Sequence, residues 1–134
     1  MAVFVDTSAL LSLADPGELR HEAATTVWRE LLGSAEVLIT TNYVLLETAA
    51  LLQRRIGIPP VRALQADVVP VFRVEWIDFA LHQAGMVAVL AAGRRQLSLV
   101  DCVSFEVMSR LGLSRAFAFD SDFEVQGFSC LPNP

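Results

Sequence analysis

The sequence predicts an α/β fold, a mostly parallel β-sheet flanked by α-helices, in one domain spanning residues 1–134. Short apolar runs of strand character alternate with helix-period segments along the whole chain, and most are bounded by caps or turn residues. Composition agrees: 54% of the residues are hydrophobic and mean hydropathy is +0.49, enough to bury a substantial core without staples. No internal repeat or linker-like stretch divides the 134 residues.

Each element has a local reason. Ala2 to Val5 is an apolar run that reads as a buried strand, ending on Asp6 with Thr7 and Ser8 beside it to open a helix. That helix, Thr7 to Ala14, stops at the turn Asp15-Pro16-Gly17. Glu18 to Leu32 is amphipathic, with Leu19, Ala23, Val27, Trp28, Leu31 and Leu32 on one side, and Gly33 closes it. A strand is expected over Glu36 to Ile39. Thr40, Thr41 or Asn42 then caps a helix running to about Ile56, apolar nearly all round and so expected to be largely buried. Pro59 or Pro60 suits the first turn of a helix reaching Val69. Phe72 to Ile77 alternates as a strand, Asp78 caps a helix to about Gly93, and Ser98 caps another ending at Gly112. Arg115 to Phe119 and Phe128 to Leu131 complete the strands.

Composition also excludes chemistry. All ten basic residues are Arg, so a phosphate-loop lysine and a Schiff-base lysine are ruled out. The net charge of −5 argues against nonspecific nucleic-acid binding over the whole surface, while leaving local patches open. Glu47, His82 or Gln83 interrupts the longest apolar stretches before they reach the ~18 residues of a membrane helix. With an acid at position 6 and no basic segment before it, no secretory signal is expected; the protein reads as cytoplasmic. Cys102 and Cys130 lack metal spacing and are expected to stay reduced in the core.

The acids carry the functional signal. Asp6 ends the first strand and Asp120 a later one, so a parallel sheet projects both from its carboxyl edge, where α/β proteins place ligands; Asp122 follows two residues on. Taken alone, Asp6 serves equally as a helix cap. Glu47 lies on a helical stripe with Tyr43, Val44, Ala50 and Leu51, where a charge is costly unless paired or bound to metal. Its alternative partner is Arg54, two turns on. Asp101, three residues after Ser98, completes a capping box, yet the first turn of a helix also favours an ionised carboxylate. Carboxylates converging without His or Cys suit a hard cation, Mg²⁺ or Mn²⁺, and a site of that kind suits in-line attack of water on phosphorus. Thr7, Ser8 or Ser121 is expected to position water.

Four stretches in this order, VDTSAL with Asp6, TNYVLLETAALL with Glu47, LSLVDCVSFEVM with Asp101 and AFAFDSDFEVQGF with Asp120 and Asp122, resemble the PIN domains, and among them the VapC-type toxin ribonucleases. The resemblance spans nearly the whole chain. It implies a parallel sheet flanked by helices and hydrolysis of RNA phosphodiesters with Mg²⁺ or Mn²⁺. By resemblance Asp6, Glu47 and Asp101 match the three invariant acids and Asp120 the fourth; Asp122 serves as a ligand or holds an outer position. It also implies a homodimer and inhibition by a small VapB-like antitoxin. Trp28 and the second helix are candidates for the antitoxin groove, with core packing as the alternative for Trp28. Arg54, Arg55, Arg94 and Arg95 are candidates for contacts to RNA phosphate or antitoxin carboxylates, against plain solvated charges. His21 and His82 have no place in this chemistry.

Two other readings compete. A PIN-like scaffold that binds a partner without cutting would share every sequence feature and differ only in activity. The DxD pair Asp120/Asp122 after an apolar strand also resembles the haloacid-dehalogenase-like phosphatases. That motif opens its domain and needs a downstream Lys or Arg, whereas here it lies near the C-terminus.

Overall fold

The computed structural model describes residues 1–133. Five strands, β1 (Ala2–Val5), β2 (Val37–Thr41), β3 (Arg73–Glu75), β4 (Arg115–Phe117) and β5 (Ser129–Leu131), form one sheet in the order β3-β2-β1-β4-β5, parallel throughout. Crossover helices cover it: α1 (Thr7–Ala14), α2 (His21–Leu32), α3 (Asn42–Arg55), α4 (Ile58–Ala63), α5 (Phe79–Ala92) and α6 (Leu99–Leu111), with the single turn α7 (Asp122–Val125) before β5. No helix among the described residues is long and apolar enough to cross a membrane.

β1 lies at the centre because its residues are apolar on both faces: Val3, Phe4 and Val5 are all fully buried. Its neighbours are β2 and β4, with Phe4 in register with Ile39 on one side and Ala116 on the other. The order of connection reverses between β1 and β4. That switch point opens a crevice beyond the strands' carboxyl ends, and Asp6 and Asp120 follow the two strands that border it.

Several expected boundaries move. The second helix starts at His21 because Asp15 turns the chain, its Oδ1 accepting the Gly17 N–H at 2.9 Å, and Leu19 is left 92% exposed. The helix expected over Pro59 to Val69 changes pitch: α4 runs into a π-helical turn over Leu64–Val68 and a 3₁₀ turn over Val69–Val71. β4 stops at Phe117, two residues early, and α7, unforeseen, occupies the approach to β5.

The largest correction concerns α3. Apolar nearly all round in sequence, it buries only Val44, Thr48 and Leu52, while Leu46 is 70% exposed. It packs on α1 and α4, and its Leu46 side remains open to solvent.

α5 and α6 make the tightest helix contact. A Cβ on Gly85 of α5 would stand 2.4 Å from Val103 Cγ2 and 3.3 Å from the Val103 nitrogen of α6, two residues beyond Asp101. The need for glycine here is one of space. Gly85→Ala is therefore expected to cost about 1–3 kcal/mol by overpacking, read as a lower urea midpoint at unchanged m-value.

Candidate active site

Asp6 is 2% exposed. It caps α1: its Oδ2 accepts the Ser8 N–H at 3.1 Å and the Ser8 hydroxyl at 2.6 Å. The Ser8 oxygen in turn accepts the Phe119 N–H at 3.0 Å, and the Asp6 N–H donates to the Phe117 carbonyl at 3.0 Å. Ser8 thus ties the exit of β4 to that of β1. Its hydroxyl proton goes to Asp6 and one of its two lone pairs to Phe119, which leaves one lone pair toward water. A side chain two residues after an Asp cap is readable as a turn partner; its tether 111 residues away is not.

Asp6 Oδ1 is buried and has no hydrogen-bond partner. Burial pushes this carboxyl up to about 7; hydrogen bonding from the Ser8 hydroxyl pulls against that, and the charge of Asp101 adds to it.

Asp101 opens α6 in the capping box read from the sequence. It donates its N–H to Ser98 Oγ at 3.0 Å, and its Oδ2 accepts the Ser98 N–H at 3.1 Å. Capping and a place in the site are therefore compatible. One carboxylate oxygen satisfies the helix end, and a carboxylate has another. The side chain is buried, which pushes its pKa up to about 6; the Ser98 N–H opposes this, and the charges of Asp120 and then Glu47 contribute to the rise.

Asp101, Asp120 and Asp122 each place one carboxylate oxygen within 4.8 Å of the others. Asp120 is fixed by accepting the Asp122 N–H on Oδ1 at 2.9 Å. Asp122 is held by Arg94, whose guanidinium donates to its Oδ1 at 3.3 and 3.4 Å. Asp6 and Glu47 fall outside this tight trio but act on it through the charge of Asp101. Glu47 is half-buried, and no Glu47–Arg54 ion pair forms among the described residues; Arg55 instead reaches Glu18 at 2.8 Å. Of the five acids read from the sequence, three therefore lie together, and Asp6 and Glu47 are linked to them through their charge interactions with Asp101.

His21 lies against the Ser12 carbonyl at 2.9 Å, and His82 is hydrogen-bonded to Tyr43. Cys102 and Cys130 are buried, unpaired thiols whose pKa burial pushes up.

The donor set fits a divalent cation. It consists of carboxylate oxygens only, the ligands of hard ions, and the orphaned Asp6 oxygen is a buried acceptor that the protein itself leaves unsatisfied. A buried carboxylate without a partner is normally neutral or ligated.

The family model described as PIN domain matches residues 3–128. The chain belongs to the PIN-domain family. It is 37% identical over 127 residues to a 23S rRNA-specific endonuclease, VapC20, of Mycobacterium tuberculosis, an alignment covering 94% of this chain and 95% of that protein. The crystal structure of M. tuberculosis VapC20, described as a Sarcin-Ricin loop cleaving toxin, superposes with a TM-score of 0.83 at 36% identity, again over 94% and 95% of the two chains. The PIN fold extends to more distant structures. PAE2754 from Pyrobaculum aerophilum gives a TM-score of 0.69 at 19% identity over 98% and 90%, and FitAcB from Neisseria gonorrhoeae 0.66 at 14% over 97% and 96%.

Proposed function

We propose that this protein is a Mg²⁺- or Mn²⁺-dependent endoribonuclease, the toxin of a toxin–antitoxin pair, with Asp6, Glu47, Asp101, Asp120 and Asp122 forming its metal centre. The observation that carries the reading is the trio Asp101, Asp120 and Asp122, each with a carboxylate oxygen within 4.8 Å of the others, beside a charge-coupled Asp6 whose buried Oδ1 lacks a partner. Similarity to VapC20 supports ribosomal RNA, and the class of loop that VapC20 cleaves, as the substrate.

Bound by these acids, a divalent cation supplies positive charge to the scissile phosphate and lowers the pKa of water. Asp6 and Asp101 are the anchoring pair: their elements are locked by backbone hydrogen bonds, so the acids are held before any ligand arrives. Asp120, in the segment after β4, and Glu47, on α3, complete the set. Asp122, with one oxygen engaged by Arg94, takes the outer position. Thr7 Oγ1 is buried without a hydrogen-bond partner and has a hydroxyl free to hold water.

The partners also have candidate surfaces. A cavity of about 230 Å³ between α1, α2 and the π-helical turn is lined by Leu10, Leu13, Trp28, Leu64 and Val68, with Asp67 among its polar groups. An apolar side chain of a VapB-like antitoxin fits it. Trp28 packs against Phe72, ring centroids 5.8 Å apart and planes tilted by 43°, and also lines the cavity, which supports the groove reading beside the core one. For the homodimer, α5 offers a stripe without a single charge in 14 residues, with Phe79, Val87 and Leu90 exposed on one face below Trp76.

The test uses purified full-length protein on ribosomal RNA. Cleavage that requires added Mg²⁺ or Mn²⁺, stops on chelation and leaves 5′-phosphate ends is the expected result. Cleavage that persists in EDTA would overturn the metal centre, and no cleavage of any RNA by metal-loaded, antitoxin-free protein would favour the scaffold.

A further inference from the structure

The five candidate acids concentrate negative charge, three of them within 4.8 Å of one another, and RNA, itself anionic, must approach it. Of the ion pairs among the described residues, only Arg94–Asp122 reaches any of the five. Arg94 follows Gly93, whose left-handed backbone (φ 62°) ends α5 and turns the chain into the short link to α6. The Arg94 side chain is 52% exposed and that of Asp122 13%, so the pair sits at the rim with its cationic half toward solvent. Arg95, the next residue, is exposed and has no acid within ion-pair distance among the described residues.

We propose that Arg94 is an exchangeable clamp: in the free protein it neutralises Asp122, and when a divalent cation and RNA occupy the site it transfers to an RNA phosphate. The inference rests on the metal-dependent ribonuclease reading above and assigns a positioning role within it. Three carboxylate oxygens within 4.8 Å of one another repel, and a guanidinium on the outermost offsets part of that repulsion. A dication supplies the same charge from inside the trio, which weakens the hold of Asp122 on Arg94. The guanidinium is planar and forked, and matches two phosphate oxygens as well as it matches a carboxylate. Its half-exposed position at the rim puts it in the path of a strand crossing the acids. The exchange couples the two ligands: RNA gains its clamp when the cation is in place.

The test compares Arg94→Gln with Arg110→Gln, an equal charge change at the far end of α6 from Asp101 on a side chain equally exposed at 52%, by Mn²⁺ calorimetry and by anisotropy of a fluorescein-labelled single-stranded RNA. Arg94→Gln is expected to tighten Mn²⁺ binding to the free protein several-fold, because a competing cation is gone. It is expected to weaken RNA binding about tenfold in Ca²⁺ and to reduce the salt slope by about 0.7, the share of one phosphate contact on a single strand. The gain in RNA affinity on adding Ca²⁺ should shrink accordingly, while Arg110→Gln alters each quantity less than twofold. Combined with Asp122→Asn, Arg94→Gln should no longer affect Mn²⁺ affinity yet still weaken RNA binding. Arg94→Lys, which keeps the charge and loses the fork, guards against a folding defect and is expected to restore Mn²⁺ affinity fully and RNA affinity in part. Equal effects of the two glutamine variants, or weaker RNA binding with unchanged Mn²⁺ affinity, would overturn the exchange. Wild-type protein that binds no Mn²⁺ would overturn the metal centre itself, and the clamp with it.

Discussion

Asp6→Asn is expected to stabilise the metal-free protein at pH 8 while removing its cation affinity and its ribonuclease activity. The carboxyl is 2% exposed, its Oδ2 is fully engaged by Ser8, and its Oδ1 has no partner. Burial pushes its pKa from 3.8 to about 7, so at pH 8 the fold carries a charge that it would hold more cheaply as the neutral acid. At about 1.4 kcal/mol per pKa unit the penalty is on the order of a few kcal/mol. Asparagine keeps the acceptor that Ser8 requires and carries no charge, so the penalty disappears. Near pH 4 the native carboxyl is already protonated, and the two proteins should melt within a degree or two of each other. Activity moves the opposite way. Losing an outer partner of a metal ligand costs about 10–100-fold, and removal of an anionic ligand is expected to exceed that. Melting in EDTA at pH 8 and pH 4.5, with Mn²⁺ calorimetry alongside, separates the outcomes. A variant less stable than wild type at both pH values would mean that Asp6 is a structural cap and nothing more. The expected trade-off of stability against function is characteristic of sites that hold unsatisfied charge for a ligand.

The position of Asp6 explains how much of this site could be read without coordinates. A strand of four apolar residues that ends on an acid and opens a helix has one geometry available in a parallel sheet, so Asp6 and Asp120 are placed by topology alone. Asp101 was legible twice, as the N3 residue of a capping box and as a candidate site acid; the structure shows the box and brings Asp101 within 4.8 Å of Asp120 and Asp122. Glu47 was legible because its helical stripe is otherwise apolar, but the reasoning behind it overreached. α3 is exposed along one side, so its apolar residues do not report burial there. Periodicity measures which face a side chain occupies and says nothing about whether an element covers that face. The Ser8–Phe119 tether and the Arg94–Asp122 pair were not legible for a different reason. They join residues 111 and 28 positions apart, and nothing in either local sequence marks the partner. α7 was missed because one helical turn, Asp122–Val125, is too short to show a period.

Raising the pH should destabilise the metal-free protein and strengthen its hold on metal over the same interval. Asp6 and Asp101 titrate at about 7 and about 6 in the folded state, both above the ordinary 3.8. Between about pH 4 and pH 7 the folded protein therefore binds more protons than the unfolded chain, and stability falls as pH rises through that window. This is the reverse of the usual salt-bridged carboxylate, whose pairing is lost in acid. A divalent cation requires both groups ionised, so it must displace their protons. Below about pH 6 two protons leave per ion and apparent affinity should climb steeply; between 6 and 7 the proton on Asp6 dominates; above about 7.5 the curve should flatten. Melting temperatures in EDTA are accordingly expected to decline from pH 5 to pH 8, while those in millimolar Mn²⁺ hold level or rise, since a ligand that binds only the native state stabilises it in proportion to RT ln(1 + [L]/Kd). The gap between the two curves is the direct measure of linkage. At limiting metal, activity should share the acid limb of the affinity curve and shift to lower pH as metal is added. A melting temperature in EDTA that rises between pH 5 and pH 8 would show that burial does not hold these carboxyls protonated. In Asp6→Asn the upper step of the decline should vanish and the step near pH 6 remain, which assigns the two protons to their residues.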